Sequence, residues 1–228
     1  MNSIVWLSEE EAVGFPPVAH ALTEPDGLLA AGGDLSPERL ISAYEHGIFP
    51  WYAEGQPVLW WSPDPRAVLF PHDLRVSRSL RRRTHSGGIE THLDRSFDAV
   101  IAECSAPRSA GDGTWLTSEM IAAYTRLHEL GFAHSVESWQ DGQLVGGLYG
   151  VCLGHVFFGE SMFSRETDAS KIALVRLVDE AKARGIVVID CQIPSLHMQS
   201  LGSRSIPRTE FTTLLLQHCH PHQPGRWA

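Results

Sequence analysis

The sequence predicts an α+β fold built from layers of helices and strands. From residue 67 onwards, the apolar pattern gives the order helix, three antiparallel strands, helix and strand, which is typical of an α+β layered domain. Residues 1–66 differ in composition, because they are rich in Pro, Gly and Trp and contain only short helical pieces. The length of 228 residues suits either one large domain or one domain together with a small one.

The first region contains one well-marked helix and a group of tryptophans. Ser36-Pro37 predicts the start of the helix, because Ser is a good N-cap and Pro fits the first helical position; the helix should end near Gly47. Trp51, Trp60 and Trp61 lie among prolines, which disfavour a regular helix or strand there. They therefore predict a rigid aromatic surface that either packs between domains or stacks on a ligand.

Apolar periodicity places the first elements of the second region. Residues 67–70 form a short apolar run bounded by prolines, which predicts a strand. Residues 73–83 and 97–104 have the pattern of helices. A clearer amphipathic helix is predicted from its cap at Thr117 to its stop at Gly131.

The remaining elements are three antiparallel strands, a helix and a last strand. The strands are predicted at residues 134–140, 144–149 and 151–158, with a hairpin turn at Asp141-Gly142, a pair that strongly favours such turns. A helix capped by Asp168 and ended by Gly185 follows, and residues 186–189 form a buried strand.

Two acidic residues, Glu160 and Asp190, each stand where a short apolar run ends. An acid in that position usually faces a cleft, because one residue deeper it would need a partner. Ser161 and Met162 follow Glu160, which suits a pocket for an apolar group with polar groups at its mouth. The sequence thus predicts a catalytic site here; the alternatives are a structural cap for Asp190 and an internal salt bridge with an arginine for Glu160.

Composition excludes several classes of protein. The longest apolar runs are far short of a membrane span, and the first residues lack the basic and apolar segments of a signal peptide, so we expect a cytoplasmic protein without a membrane partner. The four cysteines are far apart and form no CxxC, which argues against a disulfide framework.

Charge is unevenly distributed along the chain, whose net charge is −9. Residues 1–60 hold nine acids and one base, so the rest is close to neutral. Five arginines occur within nine residues of that remainder, at Arg75, Arg78, Arg81, Arg82 and Arg83. Such a cluster is typical of a solvated helix face or of a phosphate-binding patch.

Seven motifs in series resemble those of the bacterial leucyl/phenylalanyl-tRNA–protein transferases, over about residues 4–210. They are Gly32-Gly33-Asp34-Leu35-Ser36, Gly47-Ile48-Phe49-Pro50-Trp51, Trp60-Trp61-Ser62-Pro63-Asp64-Pro65-Arg66, Gly113-Thr114-Trp115, Gly146-Gly147-Leu148-Tyr149-Gly150, Gly159-Glu160-Ser161-Met162-Phe163-Ser164 and Asp190-Cys191-Gln192.

This resemblance implies a fold and a reaction. The fold is a small N-terminal domain, residues 1–66, followed by a GNAT (acyl-CoA N-acyltransferase)-like catalytic domain with a mixed sheet, residues 67–228. The reaction moves Leu or Phe, and less well Met, from aminoacyl-tRNA to a protein whose N-terminal residue is Arg or Lys, which marks that protein for N-end-rule degradation. No metal or organic cofactor is implied, and the family implies a monomer.

The chemistry of this reaction and the resemblance together assign roles to the candidate site. Asp190 would accept the proton of the attacking amine, and Gln192, two residues on, would orient the amine or the ester; the terminal hydroxyls of the tRNA offer another route for the proton. Glu160 would bind the ammonium of the aminoacyl group. Ser161 would lie at the mouth of an apolar pocket whose members, taken singly, fit ordinary core equally well: Leu148, Phe157, Met162, Leu174, Leu177 and Ile189.

Two further groups would contact the tRNA. Trp51 and Trp115 match family positions beside the terminal adenosine, with packing between domains as the alternative. The arginine cluster would contact phosphates, and the acidic first region could attract the cationic acceptor.

The sequence also allows two other functions, an acetyl-CoA-dependent enzyme and a binding module. An acetyl-CoA-dependent enzyme would need a glycine-rich loop to bind pyrophosphate, whereas residues 159–168 hold one Gly and three acids. A tRNA- or peptide-binding module would not need Asp190. His218, His220 and His222, with Cys219 among them, suggest either a loose tail or a metal-binding segment.

Overall fold

Four short strands form a small sheet in the N-terminal region. The structure is a computed structural model, and it describes residues 4–9, 13–106, 116–220 and 225–227. The strands are β1 (Val5–Leu7), β2 (Leu28–Gly32), β3 (Phe49–Pro50) and β4 (Leu59–Trp61), in the order β1-β2-β4-β3. Helix α1 (Pro37–Glu45) follows β2 along the chain. It begins as predicted, because the Ser36 hydroxyl accepts a hydrogen bond from the Arg39 N–H.

The tryptophan segment is more regular than its prolines suggest. Trp60 and Trp61 belong to β4, so the prediction of a segment without a regular strand is wrong for them. The neighbouring prolines lie at or beyond the strand ends, where no N–H of the ladder is lost. The Trp60 side chain is fully buried, and its Nε1 donates to the Gly32 carbonyl at 2.8 Å.

The second region is built on a seven-stranded sheet with helices packed against it. Its strands are β5 (Arg66–Leu69), β6 (Glu90–Leu93), β7 (Ala133–Gln140), β8 (Gln143–Leu153), β9 (Val156–Ser164), β10 (Val188–Gln192) and β11 (Arg204–Ile206). Its helices are α2 (Arg78–His85), α3 (Phe97–Ser105), α4 (Ser118–Glu129), α5 (Ala169–Ala183), α6 (Leu196–Ser200) and α7 (Arg208–His218). The strand order is β11-β5-β10-β9-β8-β7-β6. Because β9 and β10 are parallel whereas their other neighbours are antiparallel, the sheet is mixed and the predicted α+β class is confirmed.

The predicted turn at Asp141-Gly142 is present, whereas the predicted break at Gly150 lies within a continuous strand. Asp141-Gly142 joins β7 to β8, and both residues have positive φ, as a tight hairpin turn requires. The predicted break at Gly150 is wrong, since β8 runs on to Leu153. A Cβ at Gly150 would lie 2.6 Å from Phe157 Cε1, so this glycine marks a close approach within the sheet.

The predicted helices agree with the structure except at one boundary, and one predicted strand is displaced along the chain. Helix α2 begins at Arg78, not at residue 73, because the Ser77 hydroxyl accepts from the Leu80 N–H and caps it there. Strand β10 likewise begins two residues later than predicted. Thr117 caps α4 as expected, through a hydrogen bond from the Met120 N–H.

The two sheets share apolar packing. One buried cluster contains Tyr44 and Trp60 from the N-terminal region together with Val151, Phe158 and Phe211 from the larger one. The domain boundary after residue 66 stays a prediction, since this packing is continuous across it. No helix in the described ranges is both long and apolar enough to cross a membrane.

Candidate active site

A split in the large sheet creates the candidate site. Strands β9 and β10 pair only over Val156–Phe158 and Val188–Asp190 and then part. Just beyond that point, the pairing of β8 with β9 skips Glu160, and the pairing of β5 with β10 skips Cys191. Each skipped residue is a β-bulge, which redirects neighbouring side chains. Glu160 therefore lies inside a strand, not after its end as predicted, and still faces the opening.

A cavity of about 420 Å³ occupies this opening. Ten predicted site residues line it: Leu148, Phe157, Glu160, Ser161, Met162, Leu174, Leu177, Ile189, Asp190 and Gln192. Six other described residues line it and were not predicted as site residues: Tyr149, Gly159, Cys191, Ser195, His197 and Met198. The structure thus combines an apolar wall with two carboxylates and an amide at one opening.

The Glu160 carboxylate is held by neutral donors. Its Oε1 accepts from the Tyr44 hydroxyl at 2.8 Å and from Gln192 Nε2 at 2.9 Å, and its Oε2 accepts from the Tyr124 hydroxyl at 3.0 Å. Burial raises the pKa of Glu160 to about 7, although the two tyrosine hydrogen bonds act in the opposite direction. In the part of the chain that the structure describes, Glu160 forms no salt bridge. With a pKa of about 7, its carboxyl group changes between the neutral and the ionised form near neutral pH.

The Asp190 carboxylate is paired with Arg66 and is fully buried. Arg66 Nε donates to Oδ1 at 2.8 Å and Arg66 Nη2 donates to Oδ2 at 2.7 Å, which is the bidentate geometry of a strong ion pair. Arg66 Nη1 also donates to the Gly47 carbonyl at 3.0 Å, and the guanidinium lies over the rings of Phe49 and Phe211. A substrate amine would have to displace one of these partners, so proton acceptance by Asp190 stays a prediction.

Gln192 connects the two carboxylates. Its backbone N–H donates to Asp190 Oδ1 at 2.9 Å, while its side-chain amide donates to Glu160. Its φ is +60°, a left-handed conformation that costs a non-glycine residue free energy and persists only where the surroundings impose it. Asp190 thus holds the backbone that aims the Gln192 amide at the cavity.

Trp51 and the five clustered arginines, which were predicted to contact the tRNA, do not line this cavity. Trp51 is 42% exposed, with its ring 5.7 Å from that of Trp61. Trp115 lies outside the described residues. Four of the five clustered arginines are exposed and Arg83 is half-buried, and no carboxylate among the described residues pairs with them. Arg75 precedes α2, so the prediction of one helix carrying all five is wrong for that residue.

The histidine segment does not form a metal site within the described residues. His218 ends α7, and its carbonyl accepts from the His155 N–H at 2.8 Å, while Cys219 is buried. His222 lies outside the described residues. Among those that are described, no group of three or more potential ligands could hold an ion.

Comparison with known families decides the relationship. A family model described as leucyl/phenylalanyl-tRNA protein transferase matches residues 68–216, and a model described as the N-terminal domain of that family matches residues 33–64. The chain belongs to the leucyl/phenylalanyl-tRNA–protein transferase family. All ten of the residues that line the cavity as predicted fall within the first match.

Curated members of this family are similar over nearly their whole length. A leucyl/phenylalanyl-tRNA–protein transferase of Stutzerimonas stutzeri is 57% identical over 224 residues, which cover 98% of this chain and 99% of that protein. The protein of the same name from Nitrosospira multiformis is 58% identical over 226 residues, covering 99% of this chain and 97% of that one.

Solved structures are similar at a greater distance. A GCN5-related N-acetyltransferase from Kribbella flavida has a TM-score of 0.40 and 13% identity, covering 74% of this chain and 60% of its own. L-PGS from Bacillus licheniformis has a TM-score of 0.40 and 14% identity, covering 73% of this chain and 53% of its own.

Three residues that hold the carboxylates of the candidate site were not predicted from the sequence. Tyr44 and Tyr124 lie on the apolar faces of α1 and α4, where a tyrosine looks like ordinary core, yet both hydroxyls reach Glu160. Arg66 closes a motif and opens a buried strand, and that position was the available signal for a buried partner. Its pairing with Asp190 joins positions 124 residues apart, which spacing along the chain does not reveal.

Proposed function

We propose that the chain transfers Leu or Phe, and less well Met, from aminoacyl-tRNA to the N-terminal Arg or Lys of acceptor proteins, acting as a monomer in the cytoplasm. The observation that carries this proposal is the hydrogen bond between Glu160 and Gln192 at the mouth of the apolar cavity. One apolar group and one amine can be held there side by side, which is what an aminoacyl group presents. Marking of the acceptor for N-end-rule degradation follows from the family.

The aminoacyl ester is already activated, so catalysis consists mainly of holding an amine against its carbonyl. Correct placement of two reactants can supply roughly 7–11 kcal/mol of the barrier lowering. In our proposal the apolar wall binds the amino-acid side chain, ionised Glu160 binds the ammonium of the same amino acid, and Gln192 orients the ester or the attacking amine. Asp190 and Arg66 fix the position of Gln192, and no cofactor enters the scheme. As the amine forms the new amide bond, the ester bond to the tRNA breaks and the tRNA hydroxyl leaves. The proton of the amine passes either to Asp190 or, through the terminal hydroxyls of the tRNA, to the departing oxygen.

The cavity also accounts for the proposed order of amino acids. Its apolar wall is formed mainly by aliphatic side chains, together with the aromatic rings of Phe157 and Tyr149. Such a wall discriminates by shape and volume, and one methylene is worth only about 1–3 kcal/mol there. Leu and Phe can therefore both be accepted, and Met cannot be strongly excluded.

Transfer of labelled Leu from charged tRNA to a peptide beginning with Arg tests the proposal. The same peptide beginning with Ala is the matched control, because it presents an α-amine without a basic side chain. Transfer to the Arg peptide alone is expected. Consumption of acetyl-CoA without aminoacyl transfer would overturn the proposal in favour of an acetyltransferase, and tRNA binding without transfer would favour a binding module.

The arginine cluster gives a prediction about salt dependence. Replacing Arg78, Arg81 and Arg82 together with Ala should weaken tRNA binding and reduce the slope of log Kd against log salt by about one for each lost phosphate contact. Binding is measured over a range of salt concentrations. Arg126→Ala is the control, because Arg126 is an exposed arginine on another helix that pairs with Glu129. An unchanged slope in the triple variant would contradict the assignment of this patch to tRNA.

A further inference from the structure

Trp227 packs behind the wall of the candidate active site. Its side chain is 3% exposed, and its ring centroid lies 5.4 Å from that of Phe157 at an interplanar angle of 36°. Phe157 is itself fully buried and lines the 420 Å³ cavity. Trp227 belongs to the same buried apolar cluster as Leu148, Leu174 and Ile189, which also line that cavity.

The Trp227 indole is fixed from other directions as well. It stacks on the His134 imidazole, with ring centroids 4.5 Å apart and an interplanar angle of 8°. The backbone N–H of Trp227 donates to Asp94 Oδ2 at 3.1 Å, and His134 Nδ1 is 2.8 Å from the same oxygen, so the backbone that carries the indole is held as well. The Arg184 guanidinium lies 5.2 Å from the indole centroid. The ring is therefore held in one place by specific contacts, in addition to its apolar packing.

The Phe157 ring, which Trp227 contacts, is also confined by the backbone of β8. A Cβ added at Gly150 would lie 2.6 Å from Phe157 Cε1 and 2.7 Å from its Cζ, so the ring edge presses on the backbone of β8. Protein interiors are close-packed, and a ring confined by backbone and by a second ring keeps its rotamer. Removing Trp227 would open space into which Phe157 could retreat from the cavity.

We propose that Trp227 is a specificity-determining residue, which sets the depth of the amino-acid pocket by holding the ring of Phe157. This inference rests on the proposed function, because it concerns the choice among the amino acids that are transferred. Trp227 acts through Phe157 and is a positioning residue. Its predicted signature is a change in the ratio between two donors, since a general loss of stability would lower both alike.

The test compares Leu and Phe as donors in Trp227→Ala, Trp227→Phe and the unaltered chain. In W227A, the ratio of kcat/KM for phenylalanyl-tRNA to that for leucyl-tRNA should rise roughly three- to tenfold, since a deeper apolar pocket favours the larger ring. W227F keeps an aromatic contact with Phe157, and its ratio should stay near that of the unaltered chain. Trp6→Ala is the matched control, because Trp6 is 70% exposed and lines another cavity.

Each outcome decides the inference. Equal loss of transfer with both donors in W227A would overturn it and leave Trp227 as a structural residue only. If W227A does not fold, Trp227→Leu, which fills part of the space, is measured in its place, and its donor ratio decides in the same way. Failure of the unaltered chain to transfer either amino acid overturns the proposed function itself, and that result is distinct from an unchanged ratio in an active variant.

Discussion

Replacing Arg66 with Ala should lower the free energy of unfolding by about 3–5 kcal/mol, because it leaves the Asp190 carboxylate buried without its cation. Both side chains are essentially inaccessible, at 1% and 0% exposure, so the intact pair has almost no contact with water. The variant also loses the hydrogen bond to the Gly47 carbonyl and the contacts with the Phe49 and Phe211 rings. Chemical denaturation with a two-state fit measures the loss.

Arg66→Lys separates the catalytic effect from the loss of stability. The charge remains, but a lysine ammonium cannot make the two parallel hydrogen bonds of the guanidinium. Asp190 should then shift and carry with it the strained backbone of Gln192, and misplacement by about 1 Å can cost roughly 10²-fold in rate. We expect kcat for transfer to fall by about that factor, with tRNA affinity unchanged.

Arg165→Lys is the matched control for this substitution. Arg165 also forms a bidentate pair, with Glu103, but its side chain is 63% exposed. Exposed pairs contribute about 0–1 kcal/mol, so neither stability nor transfer should change appreciably. If Arg66→Lys behaved like Arg165→Lys in both measurements, the Arg66–Asp190 pair would have no part in positioning Gln192.

A doubly apolar variant tests whether the buried pair serves stability or function. Arg66→Met combined with Asp190→Leu leaves no unpaired charge, and such replacements are often neutral or stabilising. Its free energy of unfolding should recover towards that of the unaltered chain, whereas transfer should remain low because Gln192 lacks its backbone acceptor. Recovery of transfer together with stability would contradict the positioning role.

Local signals in the sequence were sufficient for most elements of the fold. The Ser36-Pro37 cap, the Thr117 cap and the Asp141-Gly142 turn act through neighbours in the chain, and each is present in the structure. The predicted break at Gly150 is wrong because a glycine can mark either a turn or a close approach, and the Phe157 ring that approaches it comes from another strand. Sequence periodicity carries no information about such contacts.

In the candidate site, too, the sequence predicts some residues and does not reveal their partners from distant parts of the chain. Glu160, Asp190 and Gln192 could be chosen from the sequence, because each follows or interrupts an apolar run near a strand end. Their partners could not, since Arg66, Tyr44 and Tyr124 come from three other elements. The partners alter the chemistry: they pair Asp190 and leave Glu160 as the carboxylate whose pKa lies near neutrality.

Glu160→Gln should reduce kcat/KM for transfer by roughly 10- to 100-fold, because hydrogen bonds to charged groups contribute about 1.5–3 kcal/mol. The unaltered chain should gain activity as pH rises through about 7, where burial has placed the pKa of Glu160, since only the ionised carboxylate attracts the ammonium of the aminoacyl group. The groups that face this carboxylate are Tyr44, Tyr124 and Gln192, with the Arg66–Asp190 pair nearby.

The same substitution has the opposite effect on stability. The pKa of Glu160 is higher in the folded protein than its ordinary value of 4.5, so the folded state binds more protons than the unfolded state between pH 4.5 and about 7. Stability of the unaltered chain therefore decreases as pH rises through that interval, by on the order of 3 kcal/mol from this group. E160Q lacks the titration, so its stability relative to the unaltered chain should increase over the same interval.

Parallel profiles of transfer and of unfolding against pH distinguish these effects. Glu103→Gln is the control, because Glu103 is a carboxylate paired with Arg165, away from the cavity lining. If E160Q is more stable above about pH 7 and yet less active, the buried charge of Glu160 destabilises the fold and serves substrate binding. A pH profile of transfer that is the same with Glu or Gln at position 160 would remove this carboxylate from the proposed mechanism, whatever the stability showed.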